Sequence, residues 1–378
     1  MIITNVQLVL ENEVVLGSLE IQNGVISQVS ESPSQCPEAL DGEGAFLLPG
    51  LVELHTDNLD KFFTPRPSVN WPAHSAMSSH DALIVASGIT TVHNAIAVGD
   101  VRDGGHRRDN LEKMIAAMCN SHDNGLNRAE HRLHLRCELT HELTVPLFEA
   151  LMKTPRLSLV SLMDHSPGQR QYTSLQKYRE YFQNKYHFTD RQMADFEEQQ
   201  THMANLWSQP NRAAIAALCR DHGITIASHD DATDAHVEES YQLGGTIAEF
   251  PTTEIAAARS RERGMQVLMG APNVVRGGSH SGNVSALHLA QQGLLDILSS
   301  DYYPASLLDA AFRIAQDDTN GYRLPAAIAL VTRNPAQAVG LFDRGILAEG
   351  ARADLVLASH VEGHIHVRHV WSQGRKVY

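Results

Sequence analysis

Among its 378 residues the chain has no stretch approaching the ~18 consecutive apolar residues of a membrane-spanning helix. No basic segment leads from Met1-Ile2-Ile3-Thr4-Asn5 into an apolar core, so no secretory signal is expected. Cysteine is scarce. Cys36, Cys119, Cys137 and Cys219 lie far apart and form no C-x-x-C pair, which excludes a disulfide framework and a zinc–thiolate site. They are expected to be buried free thiols in a reducing compartment. These absences together point to a cytoplasmic protein. Positive charge is also short, with 30 Lys and Arg against 44 Asp and Glu and a net charge of −14. A general nucleic-acid binder needs a basic field and is excluded, although a local basic cluster could still hold an anionic ligand. Neither G-x-G-x-x-G nor G-x-x-x-x-G-K-[ST] occurs, which counts against a nucleotide-binding open sheet. No G-x-S-x-G elbow is present, so a serine hydrolase is not supported.

What the chain does have is histidine, 21 residues of it. Several fall at the ends of predicted strands, and their placement depends on the architecture. Short apolar runs with turn residues mark both ends of the chain: Ile2, Ile3, Val6, Leu8 and Leu10, then Leu19, Ile21, Val25 and Ile26 around Asn23-Gly24. Leu355–Leu357, Ile365, Val367 and Val370 repeat the pattern near Gly363 and Gly374. Residues 1–47 and 345–378 are therefore expected to build one small β-sandwich. Between them, strands are predicted near 50–57, 89–95, 132–139, 157–165, 223–230, 245–251, 265–272 and 294–301. Amphipathic segments such as Leu111–Cys119 and Ala305–Ala315 alternate with them. That order predicts a (β/α)8 barrel over 48–344. The Gln-, Arg- and Tyr-rich stretch near 166–211 is too long for a standard connection and reads as an insertion with one or two helices.

In such a barrel the working residues lie at the C-terminal ends of the strands. There the sequence places His55 and Asp57, Glu138, Asp164-His165, His229-Asp230-Asp231, and Asp301. Alternation along a strand lets His55 and Asp57 project to one face. Imidazole and carboxylate together suit one or two divalent ions, with Zn, Mn, Fe and Ni all open. The ligand set is read as His55, Asp57, Glu138, His165, His229 and Asp301, with Asp164 the alternative to His165. His93 and Glu249 also fall at strand ends. Either could orient a ligand or be an ordinary polar residue.

Pro49-Gly50-Leu51-Val52-Glu53-Leu54-His55 and the tail from Gly345-Ile346-Leu347 to Ala353-Asp354-Leu355-Val356 resemble the two ends of an amidohydrolase-superfamily enzyme. The resemblance implies a metal-bearing (β/α)8 barrel with a β-sandwich from both termini. That superfamily usually has H-x-H on the first strand, where this chain has His55-Thr56-Asp57. It often bridges two metals with a carboxylated lysine. No lysine ends the third or fourth strand here, so Glu138 becomes the bridging candidate. The segments His55–Phe63, Leu162–Gln169, Ala227–Thr233 and Arg276–Asn283 are similar to the branch that cleaves a phosphoanhydride of a phosphorylated ribose in carbon–phosphorus lyase metabolism. This implies diphosphate release, with Asp301 taking the proton of the attacking water.

One loop supports that chemistry from its residues. Arg276-Gly277-Gly278-Ser279-His280 follows the seventh strand, where barrels often hold phosphate. Paired glycines would let backbone N–H groups approach an anion, and Arg276 would add a bidentate fork. Lys61, Arg66 and Arg170 would extend the cradle. The expected partner is a small phosphorylated ribose, with no nucleic acid and no membrane, and the terminal sheets leave room for a homo-oligomer interface. A cyclic amidase or deaminase on the same barrel is the rival, and needs no cradle for several phosphates. A barrel without catalysis is the other, but it would not need these ligands.

Overall fold

The structure is a computed structural model that describes residues 1–66, 69–99, 106–172, 174–279 and 282–378, the side chains of 106–109 aside. Five strands come first: β1 (Ile2–Val9), β2 (Val14–Gln22), β3 (Val25–Ser30), β4 (Leu40–Asp41) and β5 (Phe46–Pro49). β1, β2 and β3 pair antiparallel in turn. Asn23 and Gly24 link β2 to β3 with φ of 53° and 82°. Positive φ at both central residues is the type I′ turn, whose twist matches that of the strands it joins.

Eight strands follow: β6 (Leu51–Thr56), β7 (Ile89–Val98), β8 (Glu130–Glu138), β9 (Leu157–Met163), β10 (Thr225–His229), β11 (Ile247–Glu249), β12 (Gln266–Gly270) and β13 (Ile297–Ser299). They lie side by side in chain order in one sheet. β8 through β12 pair parallel, as do β6 and β7. Every residue of β6 is buried, as expected of a parallel strand covered on both faces. A parallel bridge from Thr56 to Asp301 brings the first strand to the end of the last. With helices between the strands, the fold is the expected (β/α)8 barrel.

β14 (Leu355–Val361), β15 (His364–Ser372) and β16 (Arg375–Lys376) return to the first sheet, in the order β16-β15-β14-β5-β1-β2-β3, with β4 on β1. β5 accepts β14 on one side and β1 on the other, so both ends of the chain share a sheet. Ile3, Val6, Leu8, Leu19, Ile26, Leu47, Leu355, Leu357 and Trp371 form its core.

The chain divides into two compact units, one of residues 1–94, 114–132 and 269–378 and one of 95–113 and 133–268. The first unit holds the terminal sheet, β6 and β13. In it Glu130 pairs with Arg344 at 2.8 Å and with Arg352. The second unit holds most of β8 to β12 and the expected insertion. A 3-10 turn at Arg170–Tyr172 leads there to helices Leu175–Tyr186 and Asp190–Asp221. Thr189 and Gln192 form a capping box that starts the longer helix. Tyr172, Tyr178, Phe182 and Met193 are buried together, with Phe188 and Phe196 packed on them. Cys137 and Cys219 are buried as expected. Cys36, in the stretch between β3 and β4, is exposed instead. Among the described residues no helix is long and apolar enough to cross a membrane.

Candidate functional site

In the second unit, β8, β10 and β11 end in Glu138, His229 and Glu249, and His165 lies two residues past the end of β9. The His165 Nδ1–H donates to Glu138 Oε2 at 2.7 Å, and its Nε2 lies 3.8 Å from Asp230. His229 repeats the arrangement: Nδ1–H donates to Glu249 Oε2 at 2.7 Å, and Nε2 lies 3.4 Å from the same Asp230 oxygen. Ligand atoms of His165, His229 and Asp230 all fall within 4.8 Å of one another. A carboxylate behind each imidazole fixes its tautomer and ring direction, as in metal-ligating histidines. Burial works to lower the His229 pKa, but the Asp230 charge and the Glu249 hydrogen bond outweigh it and hold it above the ordinary histidine value.

The two strand-4 candidates have different partners. Asp164 accepts from Ser166 and Ser208 and lies 3.6 Å from Arg212. His165 is the residue in the convergent group. Glu138, expected as a bridge, stands behind His165. Asp230 was outside the expected ligand set although it adjoins His229. Its φ of 57° is uncommon for a non-glycine residue, and aspartate tolerates that left-handed backbone better than most. The period-two strand pattern stops at His229 and gives no sign of this turn. Glu249, which the sequence left open as an orienting or an ordinary polar residue, is the acceptor of the His229 Nδ1–H. The buried network continues from Glu249 through the Ser161 hydroxyl to His134 Nε2.

In the first unit, His55, Asp57 and Asp301 are joined through the backbone. Asp301 N–H donates to the His55 carbonyl at 3.0 Å, and Asp57 N–H donates to the Asp301 carbonyl at 3.2 Å. Glu53 fastens the same strand ends, since its carboxylate accepts from the N–H groups of His55 and Ser300, each at 2.6 Å. Burial pushes its pKa up to about 7 although both hydrogen bonds oppose this.

Lys61 Nζ lies 3.1 Å from Asp57 Oδ1, 3.4 Å from the Tyr302 carbonyl and 5.6 Å from the Tyr302 ring centre. Arg276 Nη1 approaches the Tyr302 hydroxyl at 3.5 Å. Both cations therefore rest on the residue that follows Asp301. Tyr302 has no motif around it, and sequence reasoning missed it. Arg66 is exposed and bridges to Val69 through the backbone.

The glycine pair works differently from the expected backbone cradle. Gly277 has φ of 81°, and its N–H donates to the Val274 carbonyl, while the Gly278 N–H donates to Asn273. That is a Schellman stop after helix Ala271–Val275, so helix capping occupies both donors. Ser279 is half-buried, and His280 lies outside the described residues. Arg170 also differs from a cradle residue. It is buried in the second unit against Asp231 and Glu239, where burial and then the nearby Arg212 lower its pKa to about 10.

Residues 128–378 match the amidohydrolase family. The chain is 68% identical over its full length, and that of its relative, to the α-D-ribose 1-methylphosphonate 5-triphosphate diphosphatase of Escherichia coli. An adenine deaminase of Lysinibacillus sphaericus is 31% identical over 42% of this chain and 28% of its own. Among solved structures, a 5-methylcytosine deaminase from Klebsiella pneumoniae superposes with a TM-score of 0.64 at 15% identity, covering 100% of this chain and 98% of that one. The N-acetyl-D-glucosamine-6-phosphate deacetylase of Mycobacterium smegmatis gives 0.62 at 19% identity over the full length of both. Those two likenesses carry the fold. The family match and the full-length relative carry the membership: this chain belongs to the amidohydrolase family.

Proposed function

We propose that this chain hydrolyses the triphosphate of α-D-ribose 1-methylphosphonate 5-triphosphate, giving the 5-phosphate and diphosphate, in phosphonate catabolism. The observation that carries this reading is the 68% identity to the Escherichia coli diphosphatase over the whole of both chains. Local chemistry supports it, because Lys61 and Arg276 stand by Tyr302, next to Asp301. A carbon–nitrogen hydrolase has less behind it, since the adenine deaminase likeness covers 42% of the chain.

Imidazole and carboxylate donors fit a divalent cation of the kind this family uses. The donors we assign are His55, Asp57, His165, His229 and Asp301, with Glu138 bridging or behind His165 and Asp230 as an added candidate. Zn, Mn, Fe and Ni remain the candidates, as one ion or two. When bound, such an ion polarises a phosphoryl oxygen and makes water a stronger nucleophile at neutral pH. The chain's own residues do the rest. Asp301 accepts the proton of the attacking water. Arg276 and Lys61 neutralise the charge that grows on the phosphoryl oxygens, and they hold the departing diphosphate. Glu138 and Glu249 keep the two imidazoles turned to their task. We assign residues 48–344 to the hydrolase barrel with its insertion near 166–211, and 1–47 with 345–378 to the small β domain.

The test is a product assay on purified protein. Release of diphosphate from the ribose triphosphate, with no ammonia from adenine or cyclic amides, is the expected result. Ammonia release without diphosphate would replace this reading with the deaminase.

A further inference from the structure

We propose that Tyr302 is a positioning residue that holds Lys61 and Arg276 as a pair for the polyphosphate chain of the substrate. The inference rests on the proposed diphosphatase reading and adds a residue to it. Two independent contacts carry it. The Lys61 ammonium lies 5.6 Å from the Tyr302 ring centre and 3.4 Å from the Tyr302 carbonyl. The Arg276 guanidinium reaches the hydroxyl of the same side chain at 3.5 Å.

Lys61 and Arg276 are 215 positions apart in the chain and sit on separate elements, Lys61 in helix Asn58–Phe63 and Arg276 at the end of helix Ala271–Val275. Each is long, exposed and rich in rotamers, so binding an anion with either alone costs side-chain entropy. A half-buried phenol touching both limits their spread before substrate arrives. The ring face attracts the ammonium, and the hydroxyl oxygen accepts from the guanidinium. Because Tyr302 directly follows Asp301, it ties the cations to the strand end whose aspartate is assigned to proton transfer. Helix capping engages the Gly277 and Gly278 N–H groups, which leaves the Arg276 side chain as the part of this pair that can reach an anion.

Tyr302→Phe and Tyr302→Leu separate the two side-chain contacts, since Phe keeps the ring under Lys61 and Leu keeps neither ring nor hydroxyl, only the backbone carbonyl near Lys61. The full-length, metal-replete protein is assayed on the ribose triphosphate, and its binding of inorganic triphosphate is measured by calorimetry. Tyr302→Phe should raise KM and the triphosphate Kd roughly 3- to 10-fold, the size of one lost hydrogen bond. Tyr302→Leu should raise both further and lower kcat as well, because the cations it positions also meet the charge that grows on the phosphoryl oxygens, with the melting temperature of the Phe variant unchanged. If both variants keep the parental KM and Kd while Arg276→Ala loses them, Tyr302 has no such role and the proposed function stands. If the parent releases no diphosphate, the proposed function falls and calorimetry still decides. Weaker triphosphate binding by Tyr302→Phe then sustains the pairing, and unchanged binding overturns it.

Discussion

His229 donates its Nδ1–H to Glu249 at 2.7 Å, and this one bond sets where the other ring nitrogen faces. Nε2 is turned toward Asp230, which also lies 3.8 Å from the Nε2 of His165. Two carboxylates behind two imidazoles, with a third between them, is an arrangement that a divalent ion would stabilise by removing the repulsion among the acids.

Glu249→Gln tests that arrangement. The amide keeps the shape but loses the charge that supports the imidazole. Metal affinity should fall roughly 10- to 100-fold, measured by competition with a chelator. Asp230→Ala should lose more. Metal content unaffected by either change would remove this trio from the site.

Arg276→Lys addresses the cradle. Lysine keeps the charge and loses the planar fork. One charge-assisted hydrogen bond of about 1.5–3 kcal/mol corresponds to a roughly 10- to 150-fold drop in kcat/KM. Metal content should not change. A substitution without kinetic effect on the triphosphate would place the cradle elsewhere.

Glu130 gives a pH signature of stability. Burial alone would raise its pKa, but Arg344 and Arg352 hold it well below the usual glutamate value of 4.5. A depressed folded pKa means stability that is present above the unfolded value and lost as pH falls below it. Acid should therefore destabilise the parent progressively below pH ~4.5. Glu130→Gln, lower in stability at pH 7 by about 1.5–3 kcal/mol because Arg344 and Arg352 keep Asp343 and Asp354 but lose their shared carboxylate, should lack that slope. Parallel acid limbs for the two proteins in denaturant titrations would contradict the assignment.

Removing Val370 to Tyr378 should destabilise the protein well beyond its last turn. Val370 and Trp371 are fully buried and pair with Val356 and Leu355. Loss of soluble expression or a large drop in melting temperature is expected, and a truncation as stable as the parent would rule out the shared sheet.

The barrel was legible because strands buried on both faces read as apolar runs, as in Leu157–Val160, and because polar residues punctuate their C-terminal ends. The strand-end placement of His165 and His229 was legible for the same reason. Glu249 was visible as a strand-end residue, but its bond to His229 crosses 20 positions and leaves no local mark. The glycine pair misled in a specific way. Gly-Gly permits an anion cradle and a helix stop equally well, and only the partners of the two N–H groups tell them apart. Arg170 shows the same limit. An arginine after a strand looks like a solvent-facing cation until its burial against Asp231 is known.

The central claim is metal-supported cleavage that splits off diphosphate, and phosphorus NMR of the reaction tests it most directly. Metal-replete protein should convert α-D-ribose 1-methylphosphonate 5-triphosphate into the 5-phosphate and diphosphate in equal amounts, and protein stripped by chelator should leave it intact until metal is restored. Release of orthophosphate in place of diphosphate, or undiminished conversion after complete metal removal, would contradict the account.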